Sequence, residues 1–583
     1  MKSIINKLFA GAAIVATLGL GACVNDLDLL PIDPTEQTPA DIAKNPKEFI
    51  GGLMAKCYSS LAVSGQGGAG SSDISGLDNG TSQYERAIFM MNEFPTDECL
   101  WIWPDEGVLD LNTNTFGTSN ANIFGTYSRL MVHIAVCNDF LRTVEGGNLS
   151  ELGVSVDESL QAEINQFKLE ARALRALSYY YMIDIFGQCS WAWDDMDYGV
   201  APEQISRVEA YNRVVADLED VRANWPAQQQ VVYGRIGIDA VEALLCKFYL
   251  NAEVYTGTAQ WQKCWDMAQG IIARHQGGGF QGSGLANNYQ ALFCGNNDMF
   301  APGGSLADQN EILWVVPQEF QLTESYGATT FLIAAAVTAY TNDPADGYTN
   351  CLNYGLNANW KCMHAREQFS SLFGFQNGVS VDKRTLMWAT DEMGHQIANT
   401  EYSSFTNGYV PIKFNNLLAN ADGSFPYSQY EVAEGHYMNR FGDPGLNASR
   451  YATTNGFADT DYPMIRLADV YLMAAECAMR GVGNRADGVK YANYVRERAG
   501  MPAWMPGDLT EKNLIDERGR ELYWENVRRT DLIRFNRYTG SNYVWSWKGG
   551  VYEGTSTPAY QNLMPIPTQV LAAQASFKQN PGY

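Results

Sequence analysis

The sequence predicts a mainly α-helical protein, a superhelix of packed helix pairs that carries a large irregular, loop-rich insertion. Three observations support this. Apolar residues recur at three- and four-residue spacing through most of residues 40–276 and again from 462 onward. One long segment, Ser159 to Phe186, has two apolar stripes: Leu160, Ile164, Phe167, Ala171, Leu174, Tyr181 and Ile185 on one, and Leu169, Ala173, Ala176, Tyr180 and Ile183 on the other. Offset by two residues, the stripes lie about 200° apart, so that helix must be sandwiched. Between 277 and 461 the periodicity fades into a stretch rich in Gly, Asn, Tyr and Phe, too long for a simple loop.

At the N-terminus, Lys2 and Lys7 precede an apolar run from Leu8 to Leu20, which reads as a secretory signal over residues 1–22. The run is too short for a membrane-spanning helix. Leu20-Gly21-Ala22-Cys23 matches the bacterial lipobox, making Cys23 the lipidated first mature residue and tying the chain to a membrane through acyl chains. Residues 23–39, acidic and proline-bearing, read as a tether.

The region 40–276 is helical. A first segment runs from Asp41 to Leu61, with Pro46 dividing an initial turn from the rest. Ser64 to Gly80 is rich in Gly and Ser, a loop that reads equally as linker or as binding loop. In FPTDECLWIWPDEG, Trp101 and Trp103 stand two apart, on one side if extended. The flanking Asp97, Glu98, Asp105 and Glu106 favour a solvent-facing site. Helices are expected over Ala121–Val144, Ser159–Phe186, Val208–Asn224, Ile238–Tyr255 and Gln260–His275. Hairpins of this length suggest an α-solenoid of tetratricopeptide type, although the strict Trp-Leu-Gly-Tyr repeat signature is absent.

The insertion, 277–461, holds short strand-like runs at 311–316 and 409–414, and Trp360 sits there among polar residues unlike a core ring. The C-terminal region, 462–583, resumes the helical period. Ile465, Ala468, Tyr471, Ala475 and Ala478 mark one face, alanine-rich enough for close helix approach. A second run, Val489 to Ala499, stops at Gly500 with Pro502 beyond. A third starts near Asp508 or Thr510 and sets Glu517, Glu521 and Glu525 on one stripe. These carboxylates read as ion-paired rather than catalytic, with Arg518–Glu521, Glu525–Arg529 and Asp531–Arg534 as the expected pairs.

A net charge of −25 argues against nucleic acid as a partner, since neutralising phosphates needs clustered Lys and Arg. With 32 Tyr and 14 Trp the chain has more rings than core filling usually needs, which points to exposed aromatics for binding. Eleven scattered cysteines form no zinc spacing; Cys246 and Cys477 read as buried hydrophobes, and Cys351 and Cys362 are near enough for a loop disulfide that is not assigned. The five histidines are dispersed, no nucleotide or metalloprotease motif is visible, and Asn342 to Asp346 reads as a turn. No catalytic residue, cofactor or metal site is assigned.

PMIRLADVYLMAAE, YVRERAGM, ERGRELYWENVRRTDLIRF, LMPIPTQVL and the terminal QNPGY follow one another in an order that resembles the SusD/RagB family. LEARALRALSYYYMIDIFG and YGRIGIDAVEALLCKFYL extend the resemblance over nearly the whole mature chain. It implies four degenerate tetratricopeptide repeats and a surface lipoprotein, not an enzyme. Such a protein captures an extracellular nutrient for a SusC-like TonB-dependent outer-membrane transporter. The acids Asp26 and Asp28 resemble the surface-export signal of the family's host bacteria. A glycan is the foremost cargo and a peptide the alternative; a surface glycosidase and a purely structural transporter subunit are the rival classes. The family's ligand contacts come from variable loops, so candidates rest on chemistry: Tyr84, Arg86, Trp101, Trp103, Tyr354 and Trp360, rings that stack on sugars and a cation that bonds hydroxyls. GQCSWAW after Phe186 departs from the family's Val-Pro turn, which marks Trp191 and Trp193 as a second local contact candidate.

Overall fold

The computed structural model describes residues 38–227, 231–336, 356, 360, 362–374, 380–387 and 456–583. The signal segment, Cys23, Tyr354 and the strand expected at 409–414 lie outside the described residues. The chain forms two compact units, residues 38–53 with 142–164, and the remainder. In the smaller, a six-residue helix Pro39–Lys44 is closed by a capping box between Thr38 and Asp41. It ends before Pro46, as expected, and Leu149, Val154 and Leu160 are buried.

The longer helices are α1 (Pro46–Ala62), α2 (Tyr84–Asn92), α3 (Ala121–Thr143), α4 (Glu158–Ile185), α5 (Arg207–Ala223), α6 (Ile238–Leu250), α7 (Trp261–His275), α8 (Ala328–Ala336), α9 (Leu467–Met479), α10 (Arg485–Arg498), α11 (Glu511–Leu522) and α12 (Arg528–Arg534). Their ends follow local chemistry. Ser206 Oγ caps α5 by accepting from Glu209 N–H at 3.2 Å, and Thr510 Oγ1 caps α11 from Asn513 N–H at 3.3 Å. Gly500, at φ 77°, follows the end of α10 in the left-handed conformation that suits glycine. Every residue of the two stripes on α4 is buried. On different sides of α4, Tyr180 meets Phe248 of α6 at 5.3 Å and Tyr181 meets Tyr84 of α2 at 6.4 Å.

In the larger unit the stack runs α5 on α6, α6 on α7, α7 on α9 and α9 on α10. Helices α7 and α9 are neighbours although the insertion separates them in sequence. Small residues explain how close these layers come: a side chain at Gly488 of α10 would overlap Ala478 of α9. Among the described residues, three two-stranded antiparallel ladders tie loops to the stack. They are β1 (Cys99–Trp101) with β5 (Met363–Ala365), β2 (Cys189–Trp191) with β3 (Glu203–Ile205), and β4 (Ile312–Val316) with β6 (Tyr462–Arg466).

Two C-terminal expectations are corrected. Tyr462 to Arg466, including Ile465, is a strand, not helix, because β4 supplies its hydrogen bonds before α9 begins at Leu467. The third run breaks after Leu522: Trp524 and Asn526 both hold φ 62°, so Glu525 leaves the helical stripe. The ion pairs also differ. Arg518 joins Asp469 and Asp531 rather than Glu521, and Arg529 joins Asp184 rather than Glu525, while Asp531–Arg534 is present at 2.7 Å. Glu521 contacts Arg384 at 3.1 Å, Arg466 at 3.1 Å and Arg498 at 2.5 Å; Arg466 also holds Glu311 and Glu525, each at 2.6 Å. Each of these guanidinium groups is fully buried and matched by two or more carboxylates, which burial requires. The nine described cysteines, Cys246, Cys362 and Cys477 among them, are buried.

Candidate functional site

Helix α2 places Arg86, and Gln83 places α2. Gln83 Oε1 caps the helix by accepting from Arg86 N–H at 3.0 Å and also accepts from Ala328 N–H at 2.8 Å, at the start of α8. Ala328 holds φ 45° and Gly327 lies so close to Gln83 that a side chain there would overlap it. Arg86 completes the junction by donating Nη1–H to Tyr326 O at 2.9 Å. The turn 325–328 is thereby held against α2 through its backbone.

Around Arg86 the rings form a continuous chain. Trp103 meets Trp101 edge-on at 5.9 Å, Trp101 stacks on Phe331 at 5.7 Å, and Phe331 lies 6.4 Å from Trp360. Trp360 lies 6.3 Å from Tyr326, which is 5.4 Å from Phe457. The guanidinium sits 4.7 Å from the Phe331 centre, 5.8 Å from Trp101 and 5.7 Å from Trp360, a cation over ring faces. Trp101 and Phe331 are buried; Trp103, Trp360, Tyr326 and Phe457 are half-buried. The inner rings are wall and the outer rings are surface.

A cavity of about 240 Å³ opens beside this chain, bounded by Gly76, Leu77, Asp78 and Thr81, by Arg86, Phe94, Trp101 and Phe331, and by Asp105, Glu106 and Asn122. Arg86 is 7% exposed; burial pulls its pKa down to about 10, and Asp105 and Asp78 partly offset that. Its Nε–H has no hydrogen-bond partner among the described residues, and no described carboxylate forms an ion pair with it. Asp105 accepts from Trp101 Nε1–H at 2.9 Å, and partial burial raises its pKa. The cavity therefore combines aromatic walls, a buried donor that is not saturated, and fixed acceptors. That set suits a ligand with apolar faces and hydroxyl edges.

Arg129 of α3, 1% exposed, anchors the Gly- and Ser-rich loop that forms one wall. It donates to Ser64 O at 3.1 Å, to Ser82 O and to both oxygens of Asp73. Leu77 fits over Gly125 of α3, where any larger residue would overlap it. The opposite wall hangs on Arg366, fully buried and donating to the carbonyls of Phe94 (3.1 Å), Cys99 (3.1 Å), Asn112 (2.8 Å) and Ser546.

The structure thus brings Arg86, Trp101, Trp103 and Trp360 together, from segments separated by up to 274 positions. Tyr84 is elsewhere: fully buried, its hydroxyl 2.8 Å from Ser178 Oγ and its ring against His133 at 5.3 Å. One turn of α2 separates core from cavity only by face. Tyr354 lies outside the described residues. The acids flanking the tryptophans divide: Asp105 and Glu106 are exposed at the cavity, but Asp97 and Glu98 are fully buried, Asp97 on Arg528 at 2.7 Å and Glu98 accepting from Trp524 N–H at 3.1 Å. Sequence reasoning missed Asp78, Tyr326, Phe331 and Phe457; Tyr326 and Phe457 flank glycines in loops and carry no period.

Trp191 and Trp193 stack at 4.5 Å with only 10° between planes. Arg175 covers Trp193 at 3.3 Å and Arg213 lies 5.1 Å from Trp191. Trp191 is buried and Trp193 half-buried, and both line a cavity of about 640 Å³ with Met196, Glu203, Arg213 and Asp217.

Comparison with known proteins places the chain. The model of the SusD family matches residues 416–583. The starch-binding protein SusD of Bacteroides thetaiotaomicron is 30% identical over the full length of both chains, and the SusD-like protein P2 of Formosa agariphila is 23% identical over 81% of this chain and 83% of that one. Among solved structures, surface glycan-binding protein A from Bacteroides thetaiotaomicron superposes with a TM-score of 0.63 at 17% identity, covering 92% of this chain and 98% of that one. A complex of surface glycan-binding protein A with laminarihexaose gives 0.61 at 16%, over 91% and 99%. The fold is the mainly helical, tetratricopeptide-like one that the helix stack builds, and the chain belongs to the SusD family.

Proposed function

We propose that this protein captures a glycan at the cell surface and delivers it to a SusC-like TonB-dependent transporter, held to the outer membrane through acyl chains on Cys23. The observation that carries the binding reading is the chain of rings around Arg86, whose outer members are half-buried and whose cavity offers both donor and acceptors. Stacking supplies area without directional demand, and each net hydrogen bond adds ~1 kcal/mol, enough in sum for reversible capture. The names of its relatives, a starch-binding protein and glycan-binding proteins, support the same cargo class. They support binding rather than cleavage. Isothermal titration with soluble starch and with laminarihexaose tests this. Heat on titrating wild type, lost in Trp360→Ala, with the oligosaccharide recovered at its original length, is the expected result; no heat with any glycan, or shortened products, would overturn it. Co-purification of an outer-membrane transporter with the lipidated chain, and its loss from Cys23→Ser cells into the periplasm, tests delivery.

A further inference from the structure

We propose that the cavity selects uncharged glycans and rejects anionic ones, with Asp78, Asp105 and Glu106 as the residues that set this preference. The inference rests on the glycan-binding reading above and adds its charge class. Among the described residues, three carboxylates and one guanidinium line the cavity. The guanidinium is the least accessible of these four, since Arg86 is 7% exposed whereas Asp78, Asp105 and Glu106 are exposed. A ligand approaching from solvent therefore meets a net negative rim on a chain whose overall charge is −25.

The Asp105 carboxylate and the backbone that carries Glu106 are held in place. Trp101 Nε1–H holds the Asp105 carboxylate at 2.9 Å, Asn122 Nδ2–H donates to Glu106 O at 2.8 Å, and Asn120 Nδ2–H donates to Gly107 O at 2.8 Å, so backbone 105–107 is pinned. Hydrogen-bond chemistry agrees with charge. A sugar hydroxyl both donates and accepts, so it satisfies the carboxylate oxygens and the unpaired Nε–H of Arg86 together. A carboxylate or sulfate group on a sugar only accepts; it gains Arg86 and faces three like charges.

The test compares matched polysaccharides: starch and laminarin, each hydroxyethylated or carboxymethylated to the same degree, by affinity electrophoresis of wild-type protein. The expected result is binding of the hydroxyethyl form and roughly tenfold weaker binding of the carboxymethyl form at low salt, narrowing at ~0.5 M salt, where charges are screened beyond a few ångströms. Asp78→Asn with Asp105→Asn and Glu106→Gln should narrow the ratio of the two affinities at low salt. Glu106→Lys, an exposed single change that leaves the fold intact, should narrow it in the same direction. Equal or tighter binding of the carboxymethyl form, or a gap that neither salt nor these variants move, overturns the charge preference while leaving glycan capture standing. Failure of both unmodified polysaccharides to bind overturns the capture reading itself, and this inference with it.

Discussion

Replacing Arg129 by Met should detach the wall formed by the Gly- and Ser-rich loop and weaken ligand binding. Arg129 is 1% exposed and donates to the carbonyls of Ser64 and Ser82, themselves buried, and to Asp73. Methionine keeps the length of the stem and removes every donor. Each buried acceptor left without a partner costs roughly 1–3 kcal/mol, whereas the Asp73 pair, with its carboxylate 40% exposed, adds little after solvent screening. Ser64 O keeps the Asp73 N–H at 3.1 Å, so Ser82 O is the acceptor left bare and the loss is on the order of 2 kcal/mol, felt first in the loop, since it has no regular structure of its own. A loop whose closed form loses that much is mostly open, and apparent affinity falls with the closed fraction, by ten- to a hundredfold or so. Hydrogen exchange followed by mass spectrometry, beside titration with soluble starch, reads both quantities. The expected result is fast exchange confined to residues 64–82 with protection kept in α9–α11, and weaker binding. Fast exchange with unchanged affinity would refute the loop as a wall of the site; unchanged exchange would refute Arg129 as its anchor.

Three further outcomes follow from the same geometry. Burial lifts the Glu85 carboxyl from 4.5 to about 8, so the native state holds its proton more tightly than the unfolded chain does. Stability therefore falls by ~1.4 kcal/mol per unit as pH rises from about 4.5 to about 8; Glu85→Gln should melt like wild type near the lower limit and above it near the upper one, and identical melting profiles would refute the assignment. Arg466→Met removes a guanidinium shared by Glu311, Glu521 and Glu525 and should cost about 3–5 kcal/mol by denaturant unfolding, with a loss below ~1 kcal/mol counting against a cooperative network. Tyr84→Phe should lose about 1 kcal/mol of stability with affinity intact, whereas Trp360→Ala should do the reverse; a drop in affinity for Tyr84→Phe would reopen the division of α2 into core and cavity faces.

How far the sequence speaks depends on whether a feature is periodic. The two stripes of α4 were legible because a helix repeats its environment every few residues, and both stripes are buried as the pattern requires. The strand Tyr462–Arg466 was not: five residues that share apolar spacing with the helix behind them carry no local mark of β4, 146 positions upstream. The ion pairs failed for a related reason. Spacing on one helix offers Arg518 to Glu521, but burial requires each carboxylate to be matched from every side, and the nearest guanidinium groups come from Arg466, Arg498 and Arg384 on other elements. Trp101, Trp103 and Arg86 are candidates by side-chain chemistry alone. That criterion cannot separate Tyr84, about half a helical turn round from Arg86, from rings that reach solvent.

Backbone clamps explain why such a site leaves so faint a trace. Arg86 grips Tyr326 O, Arg129 grips Ser64 O and Ser82 O, Arg366 grips Phe94 O, Cys99 O and Asn112 O, and Gln83 Nε2–H grips Leu61 O. A carbonyl is present whatever side chain its residue carries. The clamps therefore constrain where the loops 64–82, 94–112 and 325–328 run without constraining what they display, apart from glycines such as Gly80 and Gly327, where a side chain would overlap its neighbour. Side chains on the clamped loops, Asp78, Asp105, Trp103 and Tyr326, are then free to change with the ligand while the four clamping side chains stay put. On this argument, exchanging the displayed residues should retune the cavity at little expense in stability, and exchanging the clamps should abolish it whatever the ligand.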